Sequence, residues 1–240
     1  FTVILNINFA SYAGEGQRQQ QQEQGKGLRS EVRIHNGIPA LFVNGELTSQ
    51  ILGGPYRPGE SNFTDFTKAG IKIFNIYLRF GWTGPEEYDF SRVDKKMDFY
   101  LKLEPDALFI PRILLTPGDW WCEKYPEEIT MRDDGSAAGM FRRPCHPSLA
   151  SEKYRELSHK AMKAFINHVE RKWGDNIVGY QPGNGFGGEW LMFNSFWEVR
   201  PGAEPPKKFG VEDYSPPVSS LTHLQFSSST SAVISLKKEK

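Results

Sequence analysis

Residues 71–115 read IKIFNIYLRFGWTGPEEYDFSRVDKKMDFYLKLEPDALFIPRILL, and this stretch decides the fold. Ile71 to Leu78 is rich in Ile and aromatic residues and predicts a buried strand. Ser91 with Asp94 resembles a helix-capping arrangement, with Asp where Glu or Gln is usual. Phe90, Val93, Met97 and Leu101 then recur at helical spacing. Ala107 to Leu115 is a second apolar strand, although Pro111 counts against it because proline cannot donate to a ladder. A strand, a helix and a strand in this order make a crossover unit of a parallel sheet.

The same alternation extends outward. Upstream, Ala40-Leu41-Phe42-Val43 predicts a short strand ending at Asn44-Gly45-Glu46. Ser61 is placed to cap a helix carrying Phe63, Phe66 and Ala69, which Gly70 stops. Downstream, a helix is predicted from about Ser151 to Trp173. Leu157, Ala161, Phe165, Val169 and Trp173 step by four along one face, and Gly174 closes it. Ile177 to Gln181 follows as a fourth strand. Four such units predict an α/β fold with a parallel sheet, closed as a barrel or open and doubly wound.

This folded part is expected over residues 31–214. Residues 1–30 contain a Gln/Gly-rich stretch, Gly14 to Gly27, that is expected to be a disordered linker. Phe1 to Ala13 is apolar enough for a signal remnant but has no basic leading region, so localisation stays open. Residues 215–240 form a Ser-rich tail, expected to be disordered and without packing.

The chain has no net charge and no basic stripe, which argues against nucleic acid. No uninterrupted apolar run is long enough to span a membrane. Cys122 and Cys145 form neither a disulfide framework nor a zinc pattern. A single bridge could join them, but two ordinary thiols are expected. The five histidines show no paired-ligand spacing, and no metal or cofactor is expected. Gly183, Gly185 and Gly188 satisfy G-x-G-x-x-G, but Glu189 to Asn194 offers no cap for the helix a dinucleotide site requires.

In a parallel α/β fold, function lies beyond the carboxyl ends of the strands. Asn44, Arg79, Trp120 and Asn184 follow predicted strands and are expected near one end of the sheet. The loops there combine glycine, tryptophan and polar groups, as a cleft for a hydroxylated ligand requires. Arg79 suits a sugar hydroxyl or a structural ion pair. Trp82, Trp120, Trp121 and Trp190 suit a sugar platform or core packing, and Glu46 a ligand contact or a solvated strand end.

Several of these segments are similar, in order, to glycoside hydrolase family 42. Arg79-Phe80-Gly81-Trp82 is followed by Tyr88-Asp89-Phe90-Ser91, then by Leu115-Thr116-Pro117, Trp120-Trp121 and Tyr125-Pro126-Glu127. Asp133-Asp134-Gly135, Arg143-Pro144-Cys145-His146-Pro147 and Tyr154-Arg155-Glu156 continue the match, which runs from about Gly37 to Trp190. The resemblance implies a (β/α)₈ barrel and a retaining β-galactosidase that uses two glutamates, an acid and a nucleophile.

In that pattern the acid directly follows an Asn after strand four. Here Gly185 follows Asn184, and the nearest carboxylate is Glu189. A Gly-rich loop could bring Glu189 to that place with Asn184 binding a hydroxyl; otherwise Glu189 is a solvated loop carboxylate. A full barrel needs roughly 250 residues, yet four strands extend to Trp190. The expectation is therefore a partial barrel of about strands one to four, without the nucleophile. Its ligand is expected to be a carbohydrate, and its open sheet edges are expected to favour self-association. The alternative is a non-catalytic carbohydrate-binding remnant.

Overall fold

The computed structural model describes residues 27–48, 51–54, 58–132, 135–139, 145–183, 213 and 215–219. The chain is mixed α/β. Its first unit is an antiparallel sheet of β1 (Ser30–His35), β2 (Ile38–Val43) and β3 (Glu46–Leu47), in that order. Two Asn-Gly turns make it. Asn36 and Gly37 have φ 51° and 80°, and Asn44 and Gly45 have φ 52° and 86°. Positive φ at both turn positions matches the right-handed twist of the flanking strands. The strand expected at Ala40–Val43 is therefore present, but it belongs to this meander and not to the parallel sheet.

The second sheet is parallel, with β4 (Ile73–Leu78), β7 (Leu108–Leu114) and β8 (Gln181–Gly183) side by side in chain order. Gly53 bridges the outer side of β4 at Phe74, so a segment after the meander takes the first position of this series. Only glycine fits there: a Cβ on Gly53 would lie 2.4 Å from the Phe74 ring. Helix α1 (Glu60–Lys68) connects Gly53 to β4, α2 (Ser91–Leu103) connects β4 to β7, and α4 (Glu152–Trp173) precedes β8. Between β4 and α2 lies a small hairpin, β5 (Trp82–Gly84) and β6 (Glu87–Tyr88). Between β7 and α4 a long excursion carries the five-residue helix α3 (Trp120–Lys124).

The long helix begins and packs as its sequence predicts. Ser151 Oγ accepts the Tyr154 N–H, and all five residues of the expected stripe, Leu157 to Trp173, are buried. Helix α1 ends as expected at Gly70, whose φ of 84° lets Ile71 N–H reach Phe66 O and Gly70 N–H reach Thr67 O. Its N-cap is Gly59, not Ser61, which lies inside the helix. The start of α2 also differs. Asp89 Oδ1 accepts the Ser91 N–H, while Asp94 turns to His168 and Lys172 on α4.

The two faces of the parallel sheet have different neighbours. Phe74, Ile76 and Leu78 on β4, and Phe109 and Ile113 on β7, pack into the main core with Phe63, Met97 and Phe165 from the helices. On the opposite face Ile73, Ile110 and Val178 meet Val43 of the meander. The Ser30 hydroxyl also donates to Val178 O. Since Ile73 opens β4, the meander sits at the amino ends of the parallel strands.

The fourth strand is interrupted. Phe109 faces Ile177 and Arg112 faces Gln181, so three steps on β7 match four on its neighbour. One extra residue reverses the facing of every side chain after it. Val178 faces the meander, whereas Tyr180 turns to Glu170 on α4, and Gln181 faces Asn75. Pro111 is tolerated in this central strand for the same reason. Leu108 N–H points to Lys72 on the β4 side and Leu115 N–H to Gly183 on the β8 side. By alternation the missing donor of Pro111 faces the interrupted stretch.

Cys122 and Cys145 are joined in a disulfide, contrary to the expectation of two thiols. Their pairing depends on the excursion folding back. Thr130 N–H donates to His146 O and Ser148 N–H to Glu128 O, which brings the Cα atoms of the two cysteines to 6.0 Å. Asp213 ties the same turn from outside, accepting from Ser148 Oγ at 2.5 Å and from Met131 N at 3.3 Å. Ser215 is buried and Pro216–Ser219 form a short helix, so packing extends past residue 214. The Gln/Gly-rich stretch up to residue 26 and the tail after residue 219 lie outside the described residues.

Candidate functional site

The carboxyl ends of β4 and β7 open onto one cavity of about 360 Å³. Alternation along β4 sends Asn75, Tyr77 and Arg79 to the face away from the helices, and along β7 it sends Arg112, Leu114 and Thr116 to the same face. Arg79, the residue after β4, reaches the cavity with Trp82 from the β5–β6 hairpin. Thr116 and Gly118, just after β7, form the facing wall, and Thr116 is buried. Asp89 and Arg92 close the rim from the start of α2.

The hairpin is locked to the helix start by one contact. Asp89 N–H donates to Gly81 O at 2.8 Å, and Gly81 has φ 71°. A Cβ there would lie 2.2 Å from Asp89 O. The Asp89 carboxylate is held below the ordinary range, first by its hydrogen bonds with Ser91. It therefore stays ionised at neutral pH and is not a proton donor.

The expected aromatic residues separate into different roles. Trp121 is fully buried, with Tyr125 at 4.8 Å and Tyr154 at 5.7 Å between ring centroids, so it is core. Trp82 is also buried, although it contributes to the cavity wall. Trp120 is half-buried, packs edge-on to Trp82 at 5.3 Å and donates its indole N–H to Trp82 O at 3.3 Å. The disulfide follows two residues later, so the bridge anchors the helix that carries this pair.

Asn44 and Glu46 are elsewhere. Asn44 forms a meander turn and accepts the Arg29 N–H on its side chain, and Glu46 is exposed on β3. Both lie toward the amino ends of the parallel strands, the opposite end from Arg79. The repeated Asn-Gly dipeptide was the available signal for this, because it marks two-residue hairpin turns. Asn184, Glu189 and Trp190 lie outside the described residues.

Sequence reasoning missed the polar layer beneath the cavity. Tyr77, Arg112 and Gln181 occupy one level across the three strands. Asn75 Nδ2 donates to Gln181 Oε1 at 2.9 Å and to Ile110 O at 3.2 Å. These residues sit inside apolar strand runs, where composition alone gives no reason to single them out. Among the described residues, no group of three His, Cys, Asp or Glu side chains converges as a metal site would require.

A family model described as the beta-galactosidase of glycoside hydrolase family 42 matches residues 57–198. No curated protein matches the chain. Among solved structures, the β-galactosidase from the psychrophilic Marinomonas ef1 is similar at 16% identity and a TM-score of 0.43. That similarity covers 56% of this chain and 21% of the other, so the chain spans about one fifth of that relative. The family match covers more than half of the sequence, includes the β4–α2–β7 unit and contains every residue of the cavity wall, and on that basis the chain belongs to glycoside hydrolase family 42.

Proposed function

We propose that residues 31–214 form the first four strands of a (β/α)₈ glycosidase barrel that binds β-galactosides or related glycosides at the carboxyl ends of its strands. The observation that carries this reading is the strand order. Gly53, β4, β7 and β8 lie side by side in chain order and parallel, with helices between them, as consecutive barrel strands do. Family membership supports the chemistry, and the shared cavity of Arg79, Trp82 and Thr116 supports the location.

In this reading Glu189 serves as general acid, and Asn184 and Trp190 contribute to sugar binding. Arg79, Trp82 and Trp120 form the neighbouring wall. Glu46 has no part in it, and Trp121 supports the wall from the core. A retaining mechanism requires a second carboxylate roughly 5 Å from the acid. In a complete barrel that group comes from strand seven, so this chain alone is expected to bind sugar without substantial turnover.

The test is an aryl-galactoside assay beside a galactoside-binding titration on the same sample. Binding with negligible turnover is the expected result. In a protein that supplies the second carboxylate, Glu189→Gln is expected to lower kcat by a factor of about 100 or more while leaving KM within a few-fold. An unchanged kcat would remove Glu189 from the mechanism.

A further inference from the structure

The outer edge of the meander is a self-complementary surface. We propose that β1 pairs antiparallel with β1 of a second copy of this chain, across a two-fold axis at Val32, so that the two meanders form one continuous sheet. The surface lies toward the amino ends of the parallel strands, away from the cavity, and the inference does not depend on the carbohydrate reading.

The backbone limits how such a pair can form. β1 is the outer strand of the order β1-β2-β3, and Val32 to His35 are exposed. Asn44 N–H donates to Arg29 O at 2.7 Å, so Arg29 and Asn44 sit opposite each other at a hydrogen-bonded position of the ladder. Alternation then turns the backbone groups of Glu31, Arg33 and His35 toward β2, and those of Ser30, Val32 and Ile34 outward. Thr48 N–H donates to Leu41 O at 3.0 Å, which agrees, because Leu41 faces Val32 and points its own carbonyl away from β1. Among the described residues, no strand pairs with the outward groups of β1. The edge also lacks the lysine or proline that commonly blocks strand addition.

The side chains select the register. With the axis at Val32, the outward groups of Val32 meet their own copies, and those of Ser30 meet those of Ile34. Glu31 then stands opposite Arg33 of the second copy, and Arg33 opposite its Glu31, at positions where cross-strand side chains are closest. Within one copy Glu31 and Arg33 are 3.4 Å apart, and the Arg33 guanidinium lies over the Phe42 ring at 3.6 Å. Moving the axis by one residue sets Glu31 against Glu31 or Arg33 against Arg33, so like charges oppose both neighbouring registers. The same pairing covers apolar surface. Val32 and Ile34 are 43% and 69% exposed. It brings Val32 against Val32, and it sets Ile34 of the second copy beside Ser30, whose hydroxyl donates to Val178 O. That face continues into the contact of Val43 with Ile73, Ile110 and Val178. Each patch contacts itself, as a two-fold interface requires.

The experiment is sedimentation equilibrium of the 240-residue chain over about a hundredfold range of concentration. The average mass is expected to rise from monomer to dimer and to stop there. Val32→Pro removes an outward N–H that β2 does not use, so it should abolish the dimer while far-UV circular dichroism stays unchanged. Glu31→Arg and Arg33→Glu each set like charges across the axis, and each should weaken self-pairing about tenfold or more. An equal mixture of these two charge variants should recover the dimer, because each edge then meets its opposite; recovery also shows that both variants are folded. A monomer at every concentration would overturn the proposal and leave this edge to a strand of another protein. A dimer that Val32→Pro and both charge variants leave unchanged would also overturn it, and would move the contact to the edges of the parallel sheet.

Discussion

Asn75 on β4 donates a hydrogen bond to Gln181 on β8 at 2.9 Å, reaching past the intervening strand β7. The same amide also donates to Ile110 O on β7, so one side chain ties three parallel strands on the face opposite the helices. Asn75→Ala leaves Gln181 Oε1 and Ile110 O without this donor. It is expected to lower stability by about 1 to 3 kcal/mol in urea unfolding. Asn75→Asp should cost at least as much, because it sets a carboxylate against two acceptor oxygens. Equal stability of all three proteins would mean that this layer is freely hydrated.

The Cys122–Cys145 bridge closes a loop with a sequence separation of 23 residues. Chain-entropy arguments give about 3 kcal/mol for a loop of this size. Cys122→Ser combined with Cys145→Ser should therefore lower the unfolding temperature, and dithiothreitol should do the same to the unmodified chain. In the double variant the reductant should have no effect. Near-UV circular dichroism should weaken as well, since the bridge anchors the Trp82–Trp120 pair.

Gly81 should tolerate no side chain. Its φ of 71° disfavours L-residues, and the added Cβ of Gly81→Ala would meet the backbone carbonyl of Asp89 at 2.2 Å. A loss of about 2 kcal/mol or more is expected. Because the displaced residue is Asp89, hydrogen exchange of the Ser91 amide should also accelerate, as its acceptor moves away.

Asp94 makes the contact between α2 and α4 sensitive to pH. Burial raises the pKa of its carboxyl, but hydrogen bonds from Lys172 at 2.6 Å and His168 at 2.5 Å together outweigh that, and the net shift is downward. A carboxylate with a depressed folded pKa stabilises the protein above its unfolded pKa, and that contribution is lost as pH falls through the folded value. Asp94→Asn is therefore expected to cost about 1 to 2 kcal/mol near pH 7. The gap between variant and unmodified protein should close as pH drops below the ordinary carboxylate value of 3.8. Urea midpoints at about pH 7 and about pH 3 compare the two regimes.

What could be read from the sequence were the features set by local periodicity. The stripe from Leu157 to Trp173, the Gly70 stop and the strands around Ile73 and Leu108 depend on neighbours three or four residues away, or on alternation. The β4–α2–β7 unit and the ordered family segments were legible for that reason. Arg79 could be placed at a strand end, and the structure brings it to the same cavity as Trp82.

Only the tertiary structure decided the remaining features. The four residues Ala40–Val43 taken alone look the same whether they join a parallel sheet or a meander; the Asn-Gly turns on either side hint at the meander, and the partner strand made the difference. Trp120 and Trp121 are adjacent and chemically identical, yet one edges the Trp82 wall and the other is sealed in the core, because successive residues of a helix face different directions. The extra residue between Ile177 and Gln181 turned Gln181 toward Asn75, and the folded-back excursion brought Cys122 to Cys145. The last two outcomes depend on contacts between residues as far apart as 106 positions. Local periodicity carries no information about such pairs, since they form only when packing of the apolar faces brings distant segments together.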